Sequence, residues 1–256
     1  EAGLLERHRE GTWIFYRLAD SGDKANLVKS IMEYIPYSDQ ILQHDQERLV
    51  DVKKERDKKA AKYFQENAVN WDKIRSLYVA EKQVEEYLLD VTSDMEINDL
   101  LDVGTGTGRI LELFSSRVKH GIGIDLSREM LAIARSHLEQ QKISNMQVRQ
   151  GDMYDLALKD NSMDLVIFHQ VLHFADDPHA AIKETSRILR KNGQVIIVDF
   201  LPHKIEKLRE EHAHRRLGFS QEEVKEWCSV TGLKYKLMEI MQGSELDIAI
   251  WVASKN

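Results

Sequence analysis

The chain has 256 residues, 42% of them hydrophobic and 31% charged, with a formal net charge of -7. That length suits one α/β domain plus an appended module, and that acidity argues against a surface built wholly as a nucleic-acid platform. No apolar run approaches the roughly 20 residues that span a bilayer, and no signal-peptide pattern is present. A single cysteine, Cys228, excludes an intrachain disulfide, so a cytoplasmic protein without a membrane partner is the expectation.

Three zones follow one another: 1–37, 38–92 and 93–256. In the first, "GLLERHREGTWIFYRLAD" predicts two short strands around Arg9-Glu10-Gly11, with Gly11 as the turn residue. In the second strand Trp13, Phe15 and Arg17 alternate with Ile14, Tyr16 and Leu18. "SGDKANLVKSIMEYI" then predicts a short helix, stopped by Pro36. Gly3-Leu4, Arg9, Gly11, Tyr16 and Leu18 resemble the end of a winged-helix domain of the arsenic-repressor (ArsR) type. In that family a two-stranded wing follows the DNA-reading helix, and the next helix pairs two subunits. The resemblance implies a homodimer. It also implies transcription regulation, with DNA contact only through a reading helix ahead of Glu1, in a domain missing from this chain. An unrelated hairpin packed on the sheet is the alternative.

The second zone is a helical linker and lid. From Ser38 to Asn67 there is no Gly and no Pro, with seven acids against seven Lys/Arg. Ser38 or Asp39 is placed to cap a helix of about 30 residues, roughly 45 Å long. Its apolar residues are sparse, so it reads as a solvated connector held by i,i+4 pairs or as a connector that also pairs two subunits. A break is expected around Asn70. "NWDKIRSLY", with Trp71, Arg75 and Tyr78, precedes an amphipathic helix carrying Val84, Tyr87, Leu88 and Leu89.

In the third zone strands near 98–103, 120–125, 145–150, 163–168, 194–200, 234–241 and 247–253 alternate with helices at 107–116, 127–140, 178–190 and 220–231. Such alternation implies an α/β domain: a mostly parallel, Rossmann-like sheet with helices on both faces. Ligands of such sheets sit at the carboxyl ends of the strands. There "DVGTGTG" places Gly104, Gly106 and Gly108, with Thr105 between the first two. In the dinucleotide fingerprint the third glycine comes one residue later, where Arg109 stands here. Asp102, just ahead of the loop, would repel a pyrophosphate and attract an ammonium or a sulfonium. Asp125 ends the second strand, next to Leu126, where a carboxylate accepts from a ribose diol. Asp152 ends the third, where it meets an adenine edge. The fourth strand runs into His169, Gln170 and His173.

These four pieces resemble the class I S-adenosylmethionine-dependent methyltransferases, over about 93–256. The resemblance implies a seven-stranded sheet whose last strand runs antiparallel. It implies that Asp102 and the Gly104–Gly108 backbone face the methionine end of S-adenosylmethionine, and that Asp125 with Leu126 holds the ribose. Met130 and Met153 would flank the adenine and Asp152 would accept its amino group. His169 would lie beside the cofactor, and S-adenosylhomocysteine is the implied product. Each acid can also be a strand-end cap, and each methionine a core residue.

His169 and His173 are the base candidates for an acceptor that must lose a proton, although a bare i,i+4 histidine pair is often structural. The segment Phe168-His169-Gln170-Val171 lacks the Asn/Asp-Pro-Pro-Tyr of relatives that methylate amino groups of bases or glutamine. One cysteine cannot supply the site of arsenite-methylating relatives. A small-molecule methyl acceptor remains, with "NWDKIRSLY" as lid. His212 and His214 lack partners at metal-ligand spacing and read as solvated helix residues, so no metal is expected. A second class stands beside the enzyme: a regulator whose methyltransferase-like domain senses S-adenosylmethionine or S-adenosylhomocysteine without turnover.

Overall fold

The computed structural model describes residues 4–10, 13–18, 23–34, 40–68, 71, 81–243 and 245–256. They fall into two compact units: 1–61 with 206–213, and 62–205 with 214–256. In the first, β1 (Leu5–Glu10) pairs antiparallel with β2 (Trp13–Leu18), from Leu5 opposite Leu18 to Glu10 opposite Trp13. Then come α1 (Asp23–Glu33) and α2 (Gln40–Asn67), a 28-residue helix within which the unit boundary falls. α7 (Lys207–Glu211) belongs to the same unit, where Val28 and Leu208 are buried. The Gly11 turn, the Pro36 stop, the Ser38/Asp39 cap, the Asn70 break, Arg75 and Tyr78 lie outside the described residues.

The second unit opens, after the end of α2, with α3 (Glu81–Val91), whose Val84 and Leu88 are fully buried. β3 (Ile97–Val103), α4 (Arg109–Phe114), β4 (Val118–Asp125), α5 (Arg128–Gln140) and β5 (Met146–Gln150) follow. Next are β6 (Met163–His169), a single 3-10 turn at Leu172–Phe174, α6 (Pro178–Ile188) and β7 (Leu189–Phe200). α8 (Gln221–Val230), β8 (Leu233–Met241) and β9 (Ile248–Lys255) complete it. Helix starts carry their own chemistry: Ser127, Asp177 and Ser220 each accept a backbone N–H from the first turn of α5, α6 and α8. Ser220 and Glu223 form a reciprocal capping box.

The sheet order is β5-β4-β3-β6-β7-β9-β8. β5 to β7 run parallel, β9 is antiparallel to both neighbours, and strand order reverses between β3 and β6. Leu101, Val103, Val166, Phe168, Val195 and Ile197 pack with α6 and α8 on one face. Gly123 lets α4 close on the other, since a Cβ there would press on Leu111, whereas a Cβ at Gly121 would run into the Met146 side chain. Both faces being covered, β3, β6 and β7 are apolar in consecutive positions. The seven strands match the sequence expectation in order and number. β7 starts earlier than expected, at Leu189, because Leu189 pairs with Met163 ahead of an irregularity in the ladder. α4 is shorter than 107–116, because Thr107 and Gly108 remain in the loop.

Candidate functional site

The loop between β3 and α4 is built around glycine backbone. Gly104 has φ +71°, and a Cβ there would run into the Val171 side chain beyond β6. Gly106 has φ +52°, and its missing Cβ would stand 3.4 Å from Trp71 Nε1. Both conformations suit glycine, and the two bare positions let β6's exit and Trp71 approach the main chain closely. The Gly104 and Thr105 N–H groups both donate to the Ile124 carbonyl, at 2.8 and 2.9 Å, which ties the loop to β4. Asp102, at the end of β3 under the loop, is 1% exposed. Arg109, where a third dinucleotide-type glycine would stand, turns to α3. Its guanidinium makes a two-point pair with Glu85 at 2.6 Å and reaches Glu112 at 3.0 Å. These pairs raise its pKa further.

Asp125 ends β4 as a half-buried carboxylate. Oδ2 accepts the Gly106 N–H at 2.9 Å and Oδ1 the Ser127 N–H at 2.8 Å. Burial raises its pKa, against the Ser127, Gly106 and Leu126 N–H groups, which lower it. Leu126 is exposed beside it, whereas Met130, one turn into α5, is buried in the core. The Gly151 N–H donates to the Asp125 carbonyl at 3.1 Å, so the β5 exit is tied to the β4 exit. There Asp152 is exposed and folds back on the Tyr154 N–H at 3.0 Å, and half-buried Met153 packs on the main core. β5, β4, β3 and β6 are neighbours in the sheet. Asp102, Gly104–Gly108, Asp125, Leu126, Asp152, Met153 and His169 therefore share its carboxyl edge.

His169 closes β6 as a buried residue. Gln170 follows with φ +54°, its N–H held by the Val198 carbonyl at 2.7 Å, and this sharp exit sends the chain toward the glycine loop. His173 is 2% exposed. Its ring Nδ1 lies 2.8 Å from Oδ1 of Asp199, which is 0% exposed on β7. Asp199 also accepts the backbone N–H of His173 at 3.2 Å and of Phe200 at 2.8 Å, so the buried carboxylate is well bonded. The ring of His214 stacks on that of His173 with centroids 4.0 Å apart. This corrects the expectation that His212 and His214 are solvated helix residues. α7 ends at Glu211, so both follow it; the two are half-buried, and burial lowers the pKa of His212. Phe174 packs edge-on against Phe64 at 4.9 Å, and Phe64 against Trp71 at 5.4 Å. A half-exposed aromatic wall thus runs from the glycine loop to His173.

Sequence reasoning missed Asp199, Val171 and Phe64. Asp199 had a signal, since it is an acid inside the apolar run "QVIIVDF" that only a buried partner would balance. A cavity of about 410 Å³ opens at the opposite, amino-terminal edge, between Asp99, His120 and Gln147, away from the loop. No group of three or more metal-ligating side chains occurs among the described residues.

Residues 101–197 match the family model described as "Methyltransferase domain". An uncharacterized methyltransferase of Bacillus subtilis, YcgJ, is 31% identical over 100 residues, 39% of this chain and 40% of its own length. A phosphatidylethanolamine N-methyltransferase of Cereibacter sphaeroides is 38% identical over 101 residues, 39% of this chain and 49% of its own. The chain thus spans less than half the length of these relatives. The YcgJ crystal structure superposes with a TM-score of 0.59 at 19% identity, over 68% of this chain and 99% of that one. The geranyl diphosphate C-methyltransferase of Streptomyces coelicolor, solved with Mg2+, geranyl diphosphate and S-adenosyl-L-homocysteine, gives 0.60 at 15%, over 69% and 79%. Residues 101–197 are thus similar to the methyltransferase domain, and the seven-stranded sheet shares the fold of these solved structures.

Proposed function

We propose that the chain is a methyltransferase for a small molecule, joined to an ArsR-type winged-helix module that contacts DNA through a segment ahead of Glu1. One observation carries the enzymatic half: a glycine loop, with buried Asp102 behind it and Asp125 bonded across it, stands where strand order reverses. The antiparallel hairpin followed by α1 supports the winged-helix half.

The residues present fit S-adenosylmethionine. Bare backbone at Gly104 and Gly106 admits a close ligand, and the Asp102 carboxylate favours a cationic tail over a pyrophosphate. An ionised carboxyl has about four acceptor sites. Asp125 uses two on Gly106 and Ser127 and keeps two for ribose hydroxyls. Exposed Asp152 and Leu126, with Met153, would border the adenine. Met130 would act only from within the core. When bound, the cofactor supplies a methyl already activated by its sulfonium. The protein's part is to align the acceptor, exclude water and remove a proton. The aromatic wall of Trp71, Phe64 and Phe174 would hold the acceptor beside the loop. With Nδ1–H donated to Asp199, His173 keeps Nε2 as the proton acceptor, and Asp199 is its positioning residue. His169 would stand beside the cofactor.

The burial of His173 favours a second reading, a sensor that binds the cofactor without turnover. Calorimetry with S-adenosylmethionine and S-adenosylhomocysteine tests the shared part: micromolar-range binding is expected, and no heat with either would end both readings. S-adenosylhomocysteine release against a panel of small hydroxyl, amine and carbon acids separates them. The enzyme releases product with at least one acceptor, and Asp199→Asn cuts that rate by about 100-fold or more. Release with none leaves the sensor. A rate unchanged in Asp199→Asn would remove the His173–Asp199 pair from the chemistry.

A further inference from the structure

Gln170 carries two costs at one residue. Its backbone has φ +54°, in the left-handed region that few residues other than glycine adopt. Its carboxamide is buried as well. The residue is 7% exposed, and Nε2 has no hydrogen-bond partner among the described residues. A strained backbone and a buried N–H donor without a partner both weigh against the fold, and both are found where a ligand is to be met.

The surroundings say which ligand. The Gln170 N–H is held by the Val198 carbonyl at 2.7 Å, Val171 packs where Gly104 lacks a Cβ, and His173 bonds Asp199 at 2.8 Å. Residues 170–173 thus run from the glycine loop to the His173–Asp199 pair, and Phe174 joins them to Phe64 and Trp71. A spare donor and a base candidate stand three residues apart beside an aromatic wall. We propose that Gln170 Nε2 donates to the oxygen of the methyl acceptor, and that this acceptor is a hydroxyl on a planar apolar ring, a phenol. The proposal rests on the methyltransferase reading above. In the transfer, the oxygen lone pair forms the O–CH3 bond as the S–CH3 bond breaks. The O–H proton passes to His173 Nε2, and neutral S-adenosylhomocysteine leaves. The Gln170 N–H steadies the negative charge that gathers on the oxygen. An amine fits these groups less well, because its lone pair must face the methyl and its own N–H groups would meet another N–H. A phenol loses its proton at about pH 10, far below an aliphatic alcohol, which suits a histidine base. The rings of Trp71, Phe64 and Phe174 suit a flat apolar partner.

Calorimetry on the full chain saturated with S-adenosylhomocysteine tests this with a naphthol and the matching naphthylamine, which differ only in the polar group. The naphthol should bind at least about tenfold more tightly. Gln170→Met should abolish that preference while leaving the affinity for S-adenosylhomocysteine within about threefold of wild type. It should also unfold at no less urea than wild type, since it removes a donor that the fold does not use. Gln170→Glu keeps the shape but can only accept, and should turn the preference toward the amine. Equal binding of the two probes, no binding of the naphthol, or a preference unchanged in both variants would overturn the proposal and leave the methyltransferase reading standing. Weaker S-adenosylhomocysteine binding in Gln170→Met would put the donor on the cofactor, and a lower urea midpoint would put it inside the fold; either overturns the proposal. A wild-type chain that binds no S-adenosylhomocysteine would end both.

Discussion

Asp125→Asn separates cofactor binding from loop architecture. The native carboxylate takes the Gly106 and Ser127 N–H groups at 2.9 and 2.8 Å and has two acceptor sites left. Asn keeps the size but turns one oxygen into a donor facing a backbone N–H. Hydrogen bonds to a charged group contribute about 1.5–3 kcal/mol each, and some of this is regained from water. We therefore expect a loss of about 2 kcal/mol in S-adenosylhomocysteine binding, or about 30-fold in Kd, with about 1–2 kcal/mol lost from the ligand-free fold. The pH dependence has its own sign. Burial raises the Asp125 pKa above the ordinary value, so the folded state holds this proton more tightly than the unfolded chain. Its penalty on stability grows as pH rises from the unfolded to the folded pKa and is complete above the latter. Cofactor binding needs the ionised form and fades as pH falls through the folded pKa. Acidification thus relieves the ligand-free fold at this site and weakens the complex. Titration calorimetry across the acid range, on both proteins, checks this. A Kd within threefold of wild type, or an unchanged acid limb in Asp125→Asn, would refute the reasoning.

Gly104→Ala forces φ +71° on a Cβ that meets Val171, so urea unfolding should show about 2–4 kcal/mol lost. Adding Val171→Ala should return only the steric part, and a loss below about 0.5 kcal/mol would mean the loop relaxes freely. Glu85→Gln keeps the packing of α3 but removes the charge that Arg109 grips. Arg109 is 37% exposed, so solvent screening limits the loss in urea titration to about 1 kcal/mol, and a gain would contradict the pair. Burial pushes the Cys228 thiol up to about 11, which leaves a thiolate fraction of about one in a thousand at pH 8. A disulfide reagent should find no reactive thiol in the native chain and one after unfolding. Rapid native labelling would place Cys228 at the surface.

Much of the sheet was legible because buried parallel strands announce themselves as apolar runs between capped helices. "LLDV", "MDLVIF" and "QVIIVDF" were each placed within a few residues. The boundary errors have tertiary causes. Thr107 and Gly108 stay in a loop tied to β4, and Leu189 joins the sheet because Met163 lies beside it. The loop glycines and the acids at strand ends were legible for the same local reason: a strand's carboxyl end is where the chain must turn and where a ligand is met. Met130 shows the limit, since helical spacing cannot say whether a methionine faces the edge or the core.

Local chemistry thus determined the order of strands, the glycine loop and the acids of the carboxyl edge, because these depend on neighbours a few residues away. Only the tertiary structure decided what His173 is joined to. Asp199 lies 26 residues further on, on the adjacent strand. His214 reaches the same ring from beyond α7, and Trp71 comes to Gly106 from ahead of the sheet. None of these contacts has a sequence period. They exist because β6 and β7 run side by side and because the bare positions at Gly104 and Gly106 leave room for a branch or a ring to approach the backbone.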